Sequence, residues 1–180
     1  MSVHDIDPQY KVYRPADHTI LDAQAVAALY ARAHWRGKLY RMLARVTRKS
    51  YRLRDLTSAE TDATITRRYY TGTQMVPIRA IRGSESRGAD FDARFHPLRP
   101  HDRARWLSVA TAWHLGLSLP PVELIQVGDQ YFVRDGHHRI SIAATLGVRE
   151  IEANITVWQI AAPAPKPVHA PAACVEPSPA

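Results

Sequence analysis

The segment Tyr131-Phe132-Val133-Arg134-Asp135-Gly136-His137-His138-Arg139-Ile140-Ser141-Ile142-Ala143-Ala144 decides the fold. Its first residues read as a strand, and Gly136 to Leu146 reads as a helix closed by Gly147. Asp135-Gly136 lets the backbone reverse tightly, because glycine accepts unusual dihedrals and close backbone approach. A helix opening this way presents unpaired N–H groups and a partial positive charge, an anion site before any side chain is counted. Arg139 adds a guanidinium suited to two phosphate oxygens. His137 and His138 add donors whose protonation a bound phosphate favours. The phosphate chain of a nucleotide fits this pattern.

Working outward, Val122 to Val127 reads as a strand, and Gly128-Asp129 as the turn of a hairpin to Gln130–Arg134. Upstream, His101 to Gly116 is expected to be a helix with Trp106, Val109, Ala110 and Trp113 on its apolar face. Gly83 to Pro100 is expected to be a polar loop, since Glu85, Arg87, Asp90 and Asp92 are too many charges for a core segment. Val76 to Ile81 alternates and reads as a strand, with Pro77 at an edge or early position. Ile151 to Trp158 reads as the last strand. The Pro/Ala composition from Ala161 onward lacks the apolar side chains of a core and predicts a disordered tail, residues 161–180.

Residues 1–74 read as a helical extension. A helix is expected from Ala23, with Asp22 as N-cap and Gly37 as its weak point, to about Arg54. In its second half Leu39, Tyr40, Met42, Leu43, Val46 and Leu53 fall on one side. Lys38, Arg41, Arg45, Arg48, Lys49 and Arg52 fall on the other, and no acidic residue occurs between Asp22 and Asp55. Asp55 to Tyr70 reads as a connection and a short second helix capped by Thr57 or Ser58. The net charge is +7, and residues 1–74 carry 13 Lys/Arg against 7 Asp/Glu while residues 75–160 carry 10 against 9. The asymmetry implies an anionic partner for the N-terminal part. The basic face is either the solvated side of a docked helix or a DNA-binding surface.

The length of 180 residues suits one domain with extensions. No stretch approaches the roughly 20 apolar residues of a membrane helix, so no membrane partner is expected. Met1 to Tyr10 has no apolar run and does not read as a secretory signal. Cys174 is the single cysteine, which excludes disulfide frameworks and thiolate metal clusters. A cytoplasmic protein is the expectation.

Each motif residue has a plainer reading. His137 and His138 as zinc ligands would point about 100° apart, and no Cys or third His lies at ligand spacing, so no metal site is expected. Arg139 also reads as a structural partner of Asp135, and Asp135 as a helix cap.

Tyr131 to Ala144, together with the order strand, polar loop, helix, Pro-Pro-Val strand, hairpin, motif helix and last strand, resembles the ParB/sulfiredoxin superfamily over residues 75–158. The resemblance implies an α+β domain over residues 75–160, a small mixed sheet with packed helices, preceded here by the N-terminal amphipathic helix. Partitioning ParB proteins of this superfamily bind and hydrolyse CTP, and sulfiredoxin uses ATP and a nucleophilic Cys. His137 stands at that Cys position, so sulfiredoxin chemistry is not expected. The Asp-Gly-His-His-Arg form is most similar to a free-serine kinase branch, in which a carboxylate from the early loop assists phosphoryl transfer. Glu85 matches it by position.

These readings lead to a ParB-like nucleotide-binding protein that hydrolyses or transfers a phosphoryl group from ATP, ADP or CTP, with Mg²⁺ as a further cofactor. Gly136, His137, His138 and Arg139 would hold the phosphates, and Glu85 or Asp135 would orient the nucleophile or the Mg²⁺ ion. The alternative is a DNA-associated ParB-like regulatory protein with little activity, in which Arg41, Arg45, Arg48 and Arg52 contact DNA phosphates. A module that senses a nucleotide without turnover is a third reading, and a homodimer is compatible with all three.

Overall fold

The computed structural model describes residues 23–48, 50–57 and 65–161. Strands β1 (Arg54–Asp55), β2 (Ile65–Pro77), β3 (Ile81–Ser84), β4 (Val122–Val127), β5 (Gln130–Asp135) and β6 (Glu150–Ile160) form one mixed sheet in the order β1-β3-β5-β4-β6-β2. The β1–β3, β3–β5 and β4–β6 pairs are parallel, while β4–β5 and β2–β6 are antiparallel. Helices α1 (Ala23–Val46), α2 (Arg103–His114) and α3 (His137–Thr145) complete an α+β architecture among the described residues.

Strand alternation sends Val122 and Leu124 of β4 and Ile151, Ala153 and Ile155 of β6 into one core with Ile140 and Ala143 of α3. A smaller cluster on Ile125 and Phe132 is closed by Leu56 and Trp158. The hairpin, the motif helix and the last strand lie where their patterns place them, and Gly128 and Gly147 take positive φ. The expected helix from His101 is α2, preceded by a 3-10 turn over Pro100–Asp102.

Three expectations need correction. Within Asp55–Tyr70, Leu56 and Thr57 are helical and residues 58–64, on which the rest of the expected short second helix falls, lie outside the described residues; from Ile65 the chain is instead β2, which crosses residues 74 and 75 and pairs along β6 from Ile65↔Ile160 to Pro77↔Glu150. Thr66, Tyr69, Tyr70, Thr71 and Thr73 favour an extended, pleated backbone, and pairing with β6 captures them. A 3-10 turn over Ile78–Ala80 then splits the expected strand Val76–Ile81 between β2 and β3. Asp22, Lys49, Ser58 and the tail from 162 lie outside the described residues.

The second correction concerns α1. It ends at Val46, and Arg48 has φ +53, so Arg48 and Arg52 lie beyond the helix that was expected to reach Arg54. Leu53 enters the main core and Arg54–Asp55 pairs with β3, which draws the chain out of the helix. The packed stripe of α1 is Val26, Tyr30 and Ala33, set against Trp106, Ala110 and Ile142. Gly37 is a close approach: a Cβ there would lie 3.0 Å from His96 Cβ and 3.2 Å from a Leu98 methyl. Small residues let this side dock, which leaves Met42, Leu43 and Val46 exposed rather than inward.

Third, the loop after β3 is not merely polar. Phe91 and Phe95 are core residues, and Asp92 is fully buried. Asp92 is satisfied there: its carboxylate accepts the Arg94 and His96 N–H groups and meets His96 Nδ1 at 2.8 Å. Charges pair within this segment, so it reaches the core without leaving them bare.

Candidate functional site

The end of β5 delivers the chain into α3 through Gly136, whose φ is +100. A Cβ at this position would lie 2.5 Å from Val122 Cγ1 and 2.8 Å from Val122 Cβ. Only glycine fits both the dihedral and the space. The first bond of the helix runs from Ile140 N–H to Gly136 O. The N–H groups of His137, His138 and Arg139 therefore precede the intrahelical ladder, and no side chain caps the N-cap residue. Asp135, expected as a cap, pairs with Arg139 instead.

Arg139 Nη2 donates to Asp135 Oδ2 at 2.6 Å. Its Nη1 donates to Pro121 O at 2.8 Å and also to Pro120 O. The guanidinium thus ties the motif turn to the Pro-Pro segment before β4. This is the structural-partner arrangement that the sequence left open.

His137 and His138 are both buried. Ser84 Oγ, at the end of β3, accepts the Ser86 and Arg87 N–H groups and lies 2.7 Å from His137 Nε2. A hydroxyl has one proton and two lone pairs. With both lone pairs engaged, Ser84 donates to Nε2, and His137 is neutral with its proton on Nδ1. Burial, reinforced by the charges of Arg87 and His138, pushes its pKa down to about 4. The ring also stacks on Phe91.

His138 Nε2 faces Asp102 Oδ1 at 3.5 Å. Burial lowers its pKa, against the opposing charge of Asp102. Arg87 bridges this corner, with Nε 2.8 Å from Asp90 Oδ2 and Nη2 2.7 Å from Asp102 Oδ1. Sequence reasoning missed Ser84, Arg87, Asp90, His101 and Asp102 as members of the site. Their one signal was the density of charge between Glu85 and Asp102.

Glu85 continues β3, its N–H bonded to Val133 O, and its half-exposed carboxylate pairs with Arg134 Nε at 3.3 Å. Asp135 is exposed beside Arg139. Arg41 and Arg45 lie on α1, with Arg41 over the Tyr51 ring. Arg52 also faces Tyr51 and bridges to Asp92 through its backbone. The structure therefore joins the His-His-Arg turn to the loop after β3, and leaves the α1 cations apart from it.

No family model matches the chain, and no curated protein matches it in sequence. Among solved structures it is similar to sulfiredoxin from Arabidopsis thaliana. That likeness has a TM-score of 0.37 and 21% identity, and covers 49% of this chain and 89% of the other. It is too distant to bear on chemistry.

Proposed function

We propose that this chain is a ParB-like nucleotide-binding protein that hydrolyses or transfers a phosphoryl group from a nucleoside tri- or diphosphate such as ATP, ADP or CTP. One observation carries the reading: Val122 and the φ of Gly136 fix a glycine turn, from which three successive N–H groups open α3. Gly136, His137, His138 and Arg139 contact the phosphates through this turn, with the Arg139 side chain holding Asp135 in place. Glu85 or Asp135 orients the nucleophile or a Mg²⁺ ion. Such catalysis is positioning and charge neutralisation.

The test is a thermal-shift screen of the four ribonucleoside triphosphates, ADP and a short DNA duplex, each with and without Mg²⁺. A ligand that binds only the folded chain raises its midpoint by mass action. Stabilisation by a nucleotide supports the reading, and the absence of any nucleotide effect at millimolar concentration removes it. Stabilisation by the duplex alone favours the DNA-associated alternative, which draws support from an α1 without a single Asp or Glu.

A further inference from the structure

We propose that Asp90, His101 and Asp102 form a binding site for a divalent transition-metal cation of the Zn²⁺ class beside the first turn of α3. The inference stands apart from the nucleotide reading, because protein side chains alone supply the ligands.

One donor atom each from Asp90, His101 and Asp102 lie within 4.8 Å of one another. Asp102 is more than nine-tenths buried, yet its Oδ2 has no hydrogen-bond partner among the described residues. Burying a carboxylate oxygen without a partner is costly, so this atom calls for a ligand. His101 Nε2 lies 3.5 Å from this Oδ2. That separation is too long for a good hydrogen bond. It matches the edge of a tetrahedron about an ion with bonds of roughly 2.0–2.2 Å, where neighbouring ligand atoms stand about 3.4 Å apart.

The charges select the ion. Arg87 holds both carboxylates, and Arg99 Nε lies 3.3 Å from Asp90 Oδ1. The two guanidiniums fix the carboxylates while leaving lone pairs on each oxygen. They also cancel the two negative charges. A hard ion such as Mg²⁺ or Ca²⁺, which depends on anionic oxygen ligands, gains little from such a set. Imidazole nitrogens suit a Zn²⁺-class ion instead. The sequence offered no ligand spacing because Asp90 meets His101 and Asp102 only once the loop after β3 has folded.

The experiment titrates the untagged full chain with Co²⁺, read by the visible absorption of a four-coordinate ion, with Zn²⁺ displacement and Mg²⁺ as a control. One equivalent should bind, Zn²⁺ should displace it, and Mg²⁺ should not compete. His101→Ala alters an exposed ring and leaves the fold intact, and it should weaken binding by at least about tenfold. Asp102→Asn should do the same where it folds. No Co²⁺ spectrum, competition by Mg²⁺ at equal concentration, or unchanged affinity in His101→Ala overturns the site. Titrations of ATP, ADP and CTP into the same protein, each with and without Mg²⁺ and without Co²⁺ or Zn²⁺, separate the two proposals. Nucleotide binding without Co²⁺ binding sinks only the metal site, and the converse sinks only the nucleotide reading.

Discussion

Residues 135–139 are consecutive, whereas Ser84, Arg87, Asp90, His101 and Asp102 reach the same site from the end of β3, the loop after it and the 3-10 turn before α2. The consecutive set looks like the chemistry of the protein, yet two of its side chains hold structure: Arg139 bonds Asp135 and two proline carbonyls, and His137 accepts from Ser84. The dispersed set reads as an ordinary polar loop, yet it supplies the buried Asp102 whose Oδ2 is unpartnered. A motif written in one turn is legible because the backbone makes it. A site assembled across loops is legible only once packing has brought its members together.

The comparison breaks first at Gly136. Gly136→Ala forces a Cβ into Val122 at a positive φ, and overpacking plus backbone strain should together cost about 2–5 kcal/mol. Urea unfolding checks this. Adding Val122→Ala should give a double variant that loses less than the two single losses combined. Stability near that of the unaltered chain in Gly136→Ala would mean the turn is not fixed as described.

Acid sharpens the role assigned to His137. Its ordinary value of 6.5 is depressed to about 4 in the folded chain. Above pH 6.5 both states are neutral and the stability is fully present. Between 6.5 and about 4 the unfolded chain takes a proton that the folded chain refuses, so stability falls; below about 4 the loss is constant. The full loss is on the order of 3 kcal/mol. Replacing His137 by Gln should flatten this limb relative to the unaltered chain in chemical melts from pH 7 to 4. Parallel limbs would contradict a neutral, buried His137.

Arg139→Ala should lower stability by about 1–3 kcal/mol, through the lost charge-assisted bonds to Asp135 and the proline carbonyls. The nucleotide affinity of the folded fraction should change little. A tenfold or greater loss of affinity at unchanged melting temperature would assign the guanidinium to the phosphate instead.

The smallest effect on stability belongs to the α1 cations. Arg41→Glu with Arg45→Glu should lower it by only about 1 kcal/mol, through the lost contact of Arg41 with the Tyr51 ring and the reversed charge in the last turn of α1. If the chain binds DNA through α1, the same pair should abolish that binding, read by fluorescence anisotropy, and added salt should weaken it steeply.

Legibility follows the range of the interactions. The hairpin, α2, α3 and β6 announced themselves by period and by glycine stops, since each carries its pattern in its own residues. The span of β2 did not, because Ile65 to Tyr70 becomes a strand only by pairing with β6. The inward face of α1 was misread because its contact is made by Ala33 and Gly37, whose small size the hydrophobic pattern ignores. Phe91 and Phe95 were hidden among charges that pair with one another. Of the site, the glycine turn was visible and the partners of His137 and His138 were not.

The most direct test of the central claim follows the backbone amides of Gly136, His137, His138 and Arg139 by NMR while ATP, ADP or CTP is added. The account predicts that the first-turn amides of α3 shift together and saturate with one nucleotide. A nucleotide that binds while these four amides keep their positions, or millimolar nucleotide that moves none of them, would contradict it.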